Sequence, residues 1–266
     1  TWLNGSLIPF LKIICDLSDF QALFVTFAFY ISYTVMALPM AAILNRTGYR
    51  NGMIIGLAIM AIGSLLFIPA AFSANYLMFL VALFALGTGL TILQTASNPY
   101  VVFIGPIESA ARRISMMGVI NKFAGVVVPI VFAALILSDL GDASDLTSRE
   151  LSAAEITALS ERLILPYIYM ACALIMLIWL VYFTKLPTIQ ESSSARLEGD
   201  DRKSIFEYPQ IILGALALFF NIGMEVIAGD TIGLYGARQN LPHFATLTSY
   251  TMVFMLIGYF IGILTI

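Results

Sequence analysis

Long apolar runs decide the fold of this chain. One of them occupies residues 163–183, which read LILPYIYMACALIMLIWLVYF without a single Asp, Glu, Lys, Arg or His. A helix needs about 20 apolar residues to cross the hydrocarbon core of a bilayer, which is roughly 30 Å thick. Shortly after this run, residues 186–207 read LPTIQESSSARLEGDDRKSIFE, which is polar, Ser-rich and mixed in charge. The sequence therefore predicts a membrane-spanning helix followed by a flexible connector.

The composition of the whole chain also indicates a membrane protein. Of the 266 residues, 60% are hydrophobic and 11% are charged, whereas an average soluble domain is about 45–50% apolar and about 25% charged. Thirteen Lys and Arg against sixteen Asp and Glu leave a net charge of −3, so we expect no nucleic-acid partner. With only Cys15, Cys172 and His243 available, the sequence predicts no disulfide framework, no metal cluster and no cofactor.

Eight apolar segments are predicted to be transmembrane helices. None shows the two-residue alternation of a membrane barrel, so the expected class is an all-α polytopic membrane protein. The predicted segments are 1–14, 20–44, 52–72, 76–104, 114–137, 163–183, 209–235 and 245–266. Both chain ends lie inside apolar runs without flanking charge. We therefore expect a piece of a longer protein, with eight of twelve helices present and the first one truncated.

Basic residues predict the orientation of these segments. If the loop at 44–52 is cytoplasmic, eight Lys and Arg lie inside and four outside, as the positive-inside rule requires. The predicted organisation is a six-helix unit over 1–186, a cytoplasmic linker over 187–207 and the start of a second unit over 208–266. The loop at 139–162 then faces outward, and residues 152–162 are expected to form a short amphipathic surface helix.

Several blocks of this sequence resemble one family of transporters. Residues 93–101, LQTASNPYV, resemble the fourth-helix signature of the fucose–proton symporter family, within the major facilitator superfamily. Residues 2–9, WLNGSLIP, and 121–125, NKFAG, are similar to its first-helix and fifth-helix blocks. Residues 44–53, LNRTGYRNGM, resemble a degenerate form of the superfamily's loop between helices two and three. Within the family, the chain looks most similar to bacterial glucose/galactose and N-acetylglucosamine permeases, and sodium-dependent glucose transporters are also similar.

The resemblance implies a transporter of two six-helix halves that imports a hexose-type sugar with Na⁺ or H⁺. Two positions depart from the family pattern. Gly5 stands where fucose-type members carry an Asp, and Gln94 stands where they carry a Glu. Because those acids are linked to sugar binding and proton coupling in the family, we expect coupling in this chain to use other groups. The expected setting is the bacterial inner membrane, with a monomer as the working unit.

Four amide side chains are candidates for binding a monosaccharide: Asn4, Gln94, Asn98 and Asn121. Counted at 1.5 Å per residue, they come within a few Å of the bilayer midplane, where transporters bind substrate. Gln94 and Asn98 are four residues apart, so they share one face of their helix. Amides both donate and accept hydrogen bonds, which suits sugar hydroxyls. The alternative is that these amides only join helices to one another.

Aromatic residues near the same depth are candidates for stacking on the apolar face of a sugar ring. Trp2, which lies in the first-helix block, is the aromatic residue assigned to the binding site. Phe27, Tyr30 and Tyr100 are further candidates. Packing is the preferred interpretation for Phe27 and Tyr30.

Lys122 is a charge inside a predicted membrane span. It lies about 12 Å from the inner end of segment 114–137, and a charge at such depth costs roughly 2.5 kcal/mol or more. We therefore expect Lys122 to face a cavity or a partner. The alternative is that its long side chain extends to the cytoplasmic interface.

Two acidic residues of segment 209–235 are candidates for ion coupling. Glu225 lies about 23 Å along this segment, and it is the first candidate because the two family acids are absent. Lys122 is a candidate charge switch beside it, although the estimated depths of the two residues differ by about 11 Å. Asp230 is the second coupling candidate, and solvation near the outer end is the alternative.

The sequence also weighs against other functions. A membrane enzyme would need a buried His, paired acids or a nucleophile–base pair, and the spans show none. A channel would show a charged ring or a filter loop. Without a Walker motif, transport would be driven by an ion gradient rather than by ATP. The predicted function is secondary active import of a hexose by cation symport, and a nutrient sensor with a transporter fold is the alternative.

Overall fold

The structure, a computed structural model, describes residues 3–137, 152–184, 186–187, 208–241 and 243–265. Across these ranges the chain is helical, with short turns between the helices, so the predicted all-α class is confirmed. Two 3₁₀ turns, Ile107–Ser109 and Phe244–Thr246, precede the fourth and the last helix. The α-helices of the described ranges are α1 (Leu3–Ile14), α2 (Asp19–Ser73), α3 (Tyr76–Phe103), α4 (Ala110–Leu137), α5 (Ala153–Phe183), α6 (Pro209–Arg238) and α7 (Leu247–Thr265).

The predicted spans 20–44 and 52–72 are the two arms of α2, which meet at a sharp kink at Gly48 instead of at a loop. Within α2 only Gly48 has non-helical geometry, with φ 75° and ψ 169°. Glycine enters this positive-φ region without the steric cost that a Cβ imposes. The two arms of α2 fold back on one another. This is shown by Tyr76, just after the second arm, whose hydroxyl donates a hydrogen bond to the Gln21 carbonyl at 2.9 Å. A reversal at one residue thus replaces the predicted loop.

Among the described residues, six helical segments are long and apolar enough to cross a membrane, which confirms the polytopic prediction. Helix α1 and the apolar stretch Leu247–Ile263 of α7 are shorter. With these two, the described residues account for all eight predicted segments. The six longer segments are Asp19–Ala37, Pro39–Ser73, Tyr76–Phe103, Ile107–Ile136, Glu155–Phe183 and Pro209–Arg238.

Helix α5 begins earlier than predicted, and the separate surface helix expected at 152–162 is wrong. The helix runs without a break from Ala153 through Leu163. Ser152 caps its N-terminus by accepting a hydrogen bond from the Glu155 amide at 3.3 Å, and the Glu155 carboxylate accepts from the Ser152 amide at 2.9 Å. This reciprocal capping box starts a helix at Ala153, and nothing in the following turns stops it. Residues 138–151 lie outside the described residues, and so does the predicted linker at 187–207 apart from Pro187.

Close packing of α2 against α3 and α5 builds the core. A Cβ on Gly56 would lie 2.8 Å from the Gly89 carbonyl oxygen, so the second arm of α2 and α3 approach at small residues. Such contacts are typical of helix pairs in membranes. Phe67 of α2 stacks on Tyr167 of α5 with ring centroids 3.7 Å apart. The polar side chains described below are therefore carried on closely packed helices.

Helices α6 and α7 contact the earlier helices at several levels. Helix α1 packs against α6, and α4 packs against α7. At one end of the bundle, the Asp19 carboxylate of α2 pairs with Lys12 at 2.7 Å and with Arg238 of α6. Phe244, in the turn before α7, is buried against Phe10 of α1, with ring centroids 6.5 Å apart. These contacts place α6 beside α1.

Candidate functional site

Gln94 and Asn98 line one open cavity of about 350 Å³ on α3. The regular helix holds them one turn apart on the same face, as their spacing predicts. The hydroxyl of Thr91 donates to the Gly87 carbonyl at 2.8 Å, and that of Thr95 donates to the Thr91 carbonyl at 2.7 Å. Because these hydroxyls bond the helix backbone, the two amides are the polar groups best placed to bind a ligand. The lining residues are Tyr33, Thr91, Gln94, Thr95, Asn98 and Pro99.

The first arm of α2 closes one side of this amide cavity. Gly87 of α3 sits directly against Ser32 and the Phe29 carbonyl of α2, where any Cβ would clash. The Ser32 hydroxyl donates to that same carbonyl at 2.6 Å. This close approach brings Tyr33 to the cavity beside Gln94. Tyr33 was not among the predicted site residues, although its position three residues after Tyr30 puts the two on one helix face.

A charged pair joins α4 to α6. The ammonium of Lys122 pairs with the carboxylate of Glu225, and their side chains are 3% and 21% exposed. The prediction that Lys122 faces a partner is consistent with this arrangement, in which its side chain is buried. The expected depth gap of about 11 Å between the two residues therefore does not prevent their direct contact. Helix α4 begins at Ala110 rather than at 114, which adds about 6 Å to the height of Lys122 above its inner end.

Tyr259 of α7 completes the surroundings of this pair. Its ring centroid lies 5.7 Å from the Lys122 nitrogen, within the range of a cation–π interaction. Gly118 allows the ring to approach, since a Cβ there would lie only 2.5 Å from the nearest ring carbon of Tyr259. Tyr259 was not among the predicted site residues, because nothing in its own segment identifies a partner on α4.

A second cavity, of about 630 Å³, opens beside the ion pair, and Glu225 contributes to its wall. Polar groups of three helices line this cavity, including the hydroxyl of Ser115 on α4 and the amide of Asn221 on α6. The two cavities thus differ in chemistry, since only this one contains a charge. Its lining residues are Ser115, Asn221, Met224, Glu225, Met255, Gly258, Tyr259, Gly262 and Ile263.

Asp230, which was expected to lie near the outer end with solvation as the alternative, is fully buried at 0% exposure. The structure therefore contradicts the solvated alternative. Helix α1 packs on α6. The start of α7 also packs on α6 next to Asp230, since the Thr248 hydroxyl donates a hydrogen bond to the Gly229 carbonyl at 3.0 Å. The Tyr30 hydroxyl of α2 is close enough to interact electrostatically with both Asp230 and Glu225.

The remaining predicted site residues are less well placed or lie outside the described part of the chain. Trp2 is outside it, and Asn4 lies in the first turn of α1 with a side chain that is also outside it. Asn121 has an exposed side chain next to Lys122 on α4, and it lines neither cavity. These three assignments remain predictions.

The aromatic candidates for sugar stacking are only partly near the amides. Phe27 is 51% exposed and packs on Phe24 at 5.1 Å between centroids. Tyr100 is buried, and its hydroxyl donates to the Pro187 carbonyl at 3.4 Å. Tyr30 packs on Tyr33 at 5.8 Å between centroids. Tyr33 is therefore the aromatic residue that faces the amide cavity.

Cys15, between α1 and α2, does not have the character of a reactive thiol. Burial raises the pKa of the Cys15 thiol to about 11, so the group stays protonated at neutral pH. It donates to the Ala74 carbonyl at 3.5 Å. Because the thiolate is the nucleophilic form of cysteine, Cys15 is best understood as a packing residue.

Comparison with known proteins places the chain among transporters. Residues 1–265 match the sequence profile of the Major Facilitator Superfamily. A glucose/galactose transporter of Brucella abortus biovar 1 (strain 9-941) is 36% identical over 230 residues, which cover 86% of this chain and 53% of that protein. The L-fucose-proton symporter of Escherichia coli K12 is 30% identical over 273 residues, which cover 98% of this chain and 62% of that protein.

A solved structure has the same arrangement of helices. The crystal structure of a variant of the E. coli fucose:proton symporter matches with a TM-score of 0.70 at 25% identity, over 99% of this chain and 70% of that one. The chain spans about half the length of the glucose/galactose transporter and somewhat more of the symporter. The resemblance that the sequence motifs predicted is therefore confirmed at the level of both sequence and fold.

Proposed function

Because the chain belongs to the major facilitator superfamily, we propose that it comes from a secondary active transporter that imports a hexose-type sugar together with H⁺ or Na⁺. The chain is a multi-pass protein of the inner membrane, and its relatives carry the names of sugar transporters. This function makes the protein a carrier that moves its substrate unchanged, and not an enzyme. A monomer suffices for the proposal, because the two cavities and the ion pair all lie within one chain.

The observation that carries the proposal is the amide cavity on α3. Gln94 and Asn98 present uncharged groups that donate and accept hydrogen bonds, and sugar hydroxyls require both. Its volume of about 350 Å³ lies at the small end of the range of about 300–1,000 Å³ for ligand pockets, which suits a monosaccharide. Tyr33 offers an aromatic surface at the same place.

The proposed coupling group is the Lys122–Glu225 pair. Residues 1–186 would form a six-helix unit, 187–207 a cytoplasmic linker and 208–266 the start of a second unit. In that organisation Lys122 and Glu225 belong to different units. A carrier that alternates between two states needs a group whose charge or ion occupancy differs between them. A cation that neutralises Glu225 would release Lys122, and the pair would then act as a charge switch.

Uptake into proteoliposomes tests the proposed function. The protein is offered labelled glucose, galactose, N-acetylglucosamine and fucose, each with an imposed Na⁺ gradient, an imposed pH gradient or no gradient. The expected result is accumulation of at least one hexose above its external concentration with one of the two gradients. Protein-free vesicles carried through the same reconstitution are the control. If none of the four sugars enters faster than in the control, the proposed substrate class is wrong.

A further inference from the structure

Lys122 of α4 interacts with groups of two other helices. Its ammonium pairs with the Glu225 carboxylate of α6, and it lies over the Tyr259 ring of α7, 5.7 Å from the ring centroid. The negative face of an aromatic ring attracts an ammonium within about 6 Å, and more strongly where water is excluded. The Lys122 side chain is only 3% exposed. Lys122 therefore has one charged and one aromatic neighbour, on different helices.

A glycine of α4 fixes the place of the aromatic neighbour. Gly118 lies four residues before Lys122, so the two residues share one face of the helix. No Cβ fits on Gly118 beside the Tyr259 ring, and α4 packs against α7. The position of the ring at the ammonium thus depends on the absence of a side chain at residue 118. Gly118→Ala would displace the ring without changing its chemistry.

The second cavity leads to both neighbours of Lys122. Glu225 and Tyr259 belong to its wall, whereas Lys122 does not. A cation that enters this cavity can reach the Glu225 carboxylate and take the place of the ammonium there. Lys122 would then keep its charge within a membrane span, where a charge without compensation is costly. The ring of Tyr259 is placed to compensate part of that charge, because it already lies at the ammonium.

We propose that Tyr259 is a positioning residue of the coupling site, whose ring holds Lys122 while a cation neutralises Glu225. This inference rests on the proposed function and deepens it, since it names the group that keeps Lys122 after the charge switch. While the ion pair is intact, the carboxylate compensates the ammonium and the ring adds little. Once Glu225 is neutral, the ring contributes more, so it favours the cation-bound state. A purely structural ring would stabilise both states equally.

Thermal unfolding of the purified protein in detergent tests this role without any sugar. Glu225→Gln stands for the neutralised carboxylate. Tyr259→Leu should lower the unfolding midpoint, and the loss should be about twice as large in the Glu225→Gln background, where Lys122 depends more on the ring. Tyr259→Phe keeps an aromatic face and should restore most of the loss in both backgrounds. A loss of equal size in the two backgrounds would overturn the proposal, because packing does not depend on the charge of residue 225.

Tyr250→Leu is the matched control. Tyr250 lies nine residues before Tyr259, which puts it on the opposite face of α7, and it is 59% exposed. The variant removes the same ring from the same helix, and its effect should be equal in both backgrounds. Gly118→Ala, in contrast, should reproduce the dependence on Glu225 that Tyr259→Leu shows. The absence of that dependence in Gly118→Ala would likewise overturn the proposal.

If Glu225→Gln does not fold, a cycle of Tyr259→Leu with Lys122→Met decides. Met removes the ammonium, so Tyr259→Leu should cost markedly less in the Lys122→Met background. Strictly additive losses would show that the ring does not act on the charge, which overturns the proposal.

Transport gives a second measurement. In proteoliposomes, Tyr259→Leu should raise the cation concentration for half-maximal uptake on the order of tenfold, and Tyr259→Phe should restore it. A protein that shows the dependence on Glu225 but takes up none of the four sugars keeps the role of Tyr259 and loses the proposed function. A protein that accumulates a hexose with unchanged cation dependence in Tyr259→Leu keeps the proposed function and loses the role of Tyr259.

Discussion

The amide cavity and the second cavity, beside the Lys122–Glu225 pair, are both polar regions of a mostly apolar helical bundle. They differ in charge and in the helices that form them. Helices α2 and α3 build the amide cavity, and Gln94 and Asn98 stay neutral there. The charged pair forms between α4 and α6, far apart in sequence. A neutral site can release its ligand without leaving a charge in the membrane, whereas a broken ion pair leaves two. Under the proposed function, sugar recognition and energy coupling would therefore lie in two different regions of the molecule.

The largest expected effect is that of Glu225→Gln on gradient-driven transport. Gln cannot change its charge when a cation arrives, so the link between cation binding and the Lys122 pair is lost. We expect accumulation in proteoliposomes to fall to the equilibrium level, while sugar exchange at equal ion concentrations continues. Glu108→Gln, in the exposed turn before α4, is the control and should accumulate normally. Accumulation by Glu225→Gln would mean that coupling lies elsewhere in the protein.

A double-mutant cycle on the pair should show the next largest effect. Removing one partner of a buried ion pair costs about 3–5 kcal/mol. Because Glu225 is 21% exposed, we expect about 2 kcal/mol for Lys122→Met or Glu225→Gln alone. The double variant should lose less than the sum of the two, with a coupling energy of about 1–2 kcal/mol. The measurement is reversible unfolding in mixed micelles, and strictly additive losses would contradict a direct interaction.

Gln94→Ala and Asn98→Ala should each weaken hexose binding by on the order of 1–3 kcal/mol, since a sugar hydroxyl loses its partner. Binding is measured by displacement of labelled sugar. At saturating sugar, the accumulation ratio should stay at the wild-type value, in contrast to Glu225→Gln. Gln239→Ala, an amide at the exposed end of α6, is the matched control. Unchanged affinity in both variants would return these amides to a structural role.

The smallest effect is expected for a second ion pair of α6, which connects this helix to α2 and is more exposed. Asp19 and Arg238 are 41% and 56% exposed, and exposed pairs contribute about 0–1 kcal/mol. Arg238→Gln should therefore change the free energy of unfolding by less than about 1 kcal/mol, and high salt should remove even this difference. The coupling energy of Lys122 with Glu225 should change little over the same salt range. Equal salt dependence of the two pairs would show that burial does not distinguish them.

Much of the fold was predictable from local sequence, because each transmembrane segment is a property of its own composition. A run such as 163–183 must be helical in lipid, since every backbone group has to be satisfied within the segment. The Gln94 and Asn98 pair was predictable for a similar reason, as helical spacing alone fixes their common face. Errors occurred at the helix ends. Single-residue features there, the positive φ of Gly48 and the Ser152 cap, changed where helices begin and reverse.

The sequence by itself thus determined the class of the protein, the number of its apolar segments, the family motif and the presence of charges that lipid cannot solvate. Tertiary structure alone decided which groups meet. Lys122 of α4 and Glu225 of α6 pair because the assembled bundle brings the two side chains to the same level. Asp230 is buried because α1 and the start of α7 cover α6 beside it. A sequence gives depth along one helix at 1.5 Å per residue, but the contacts between helices depend on packing, tilt and rotation, which only the assembled bundle sets.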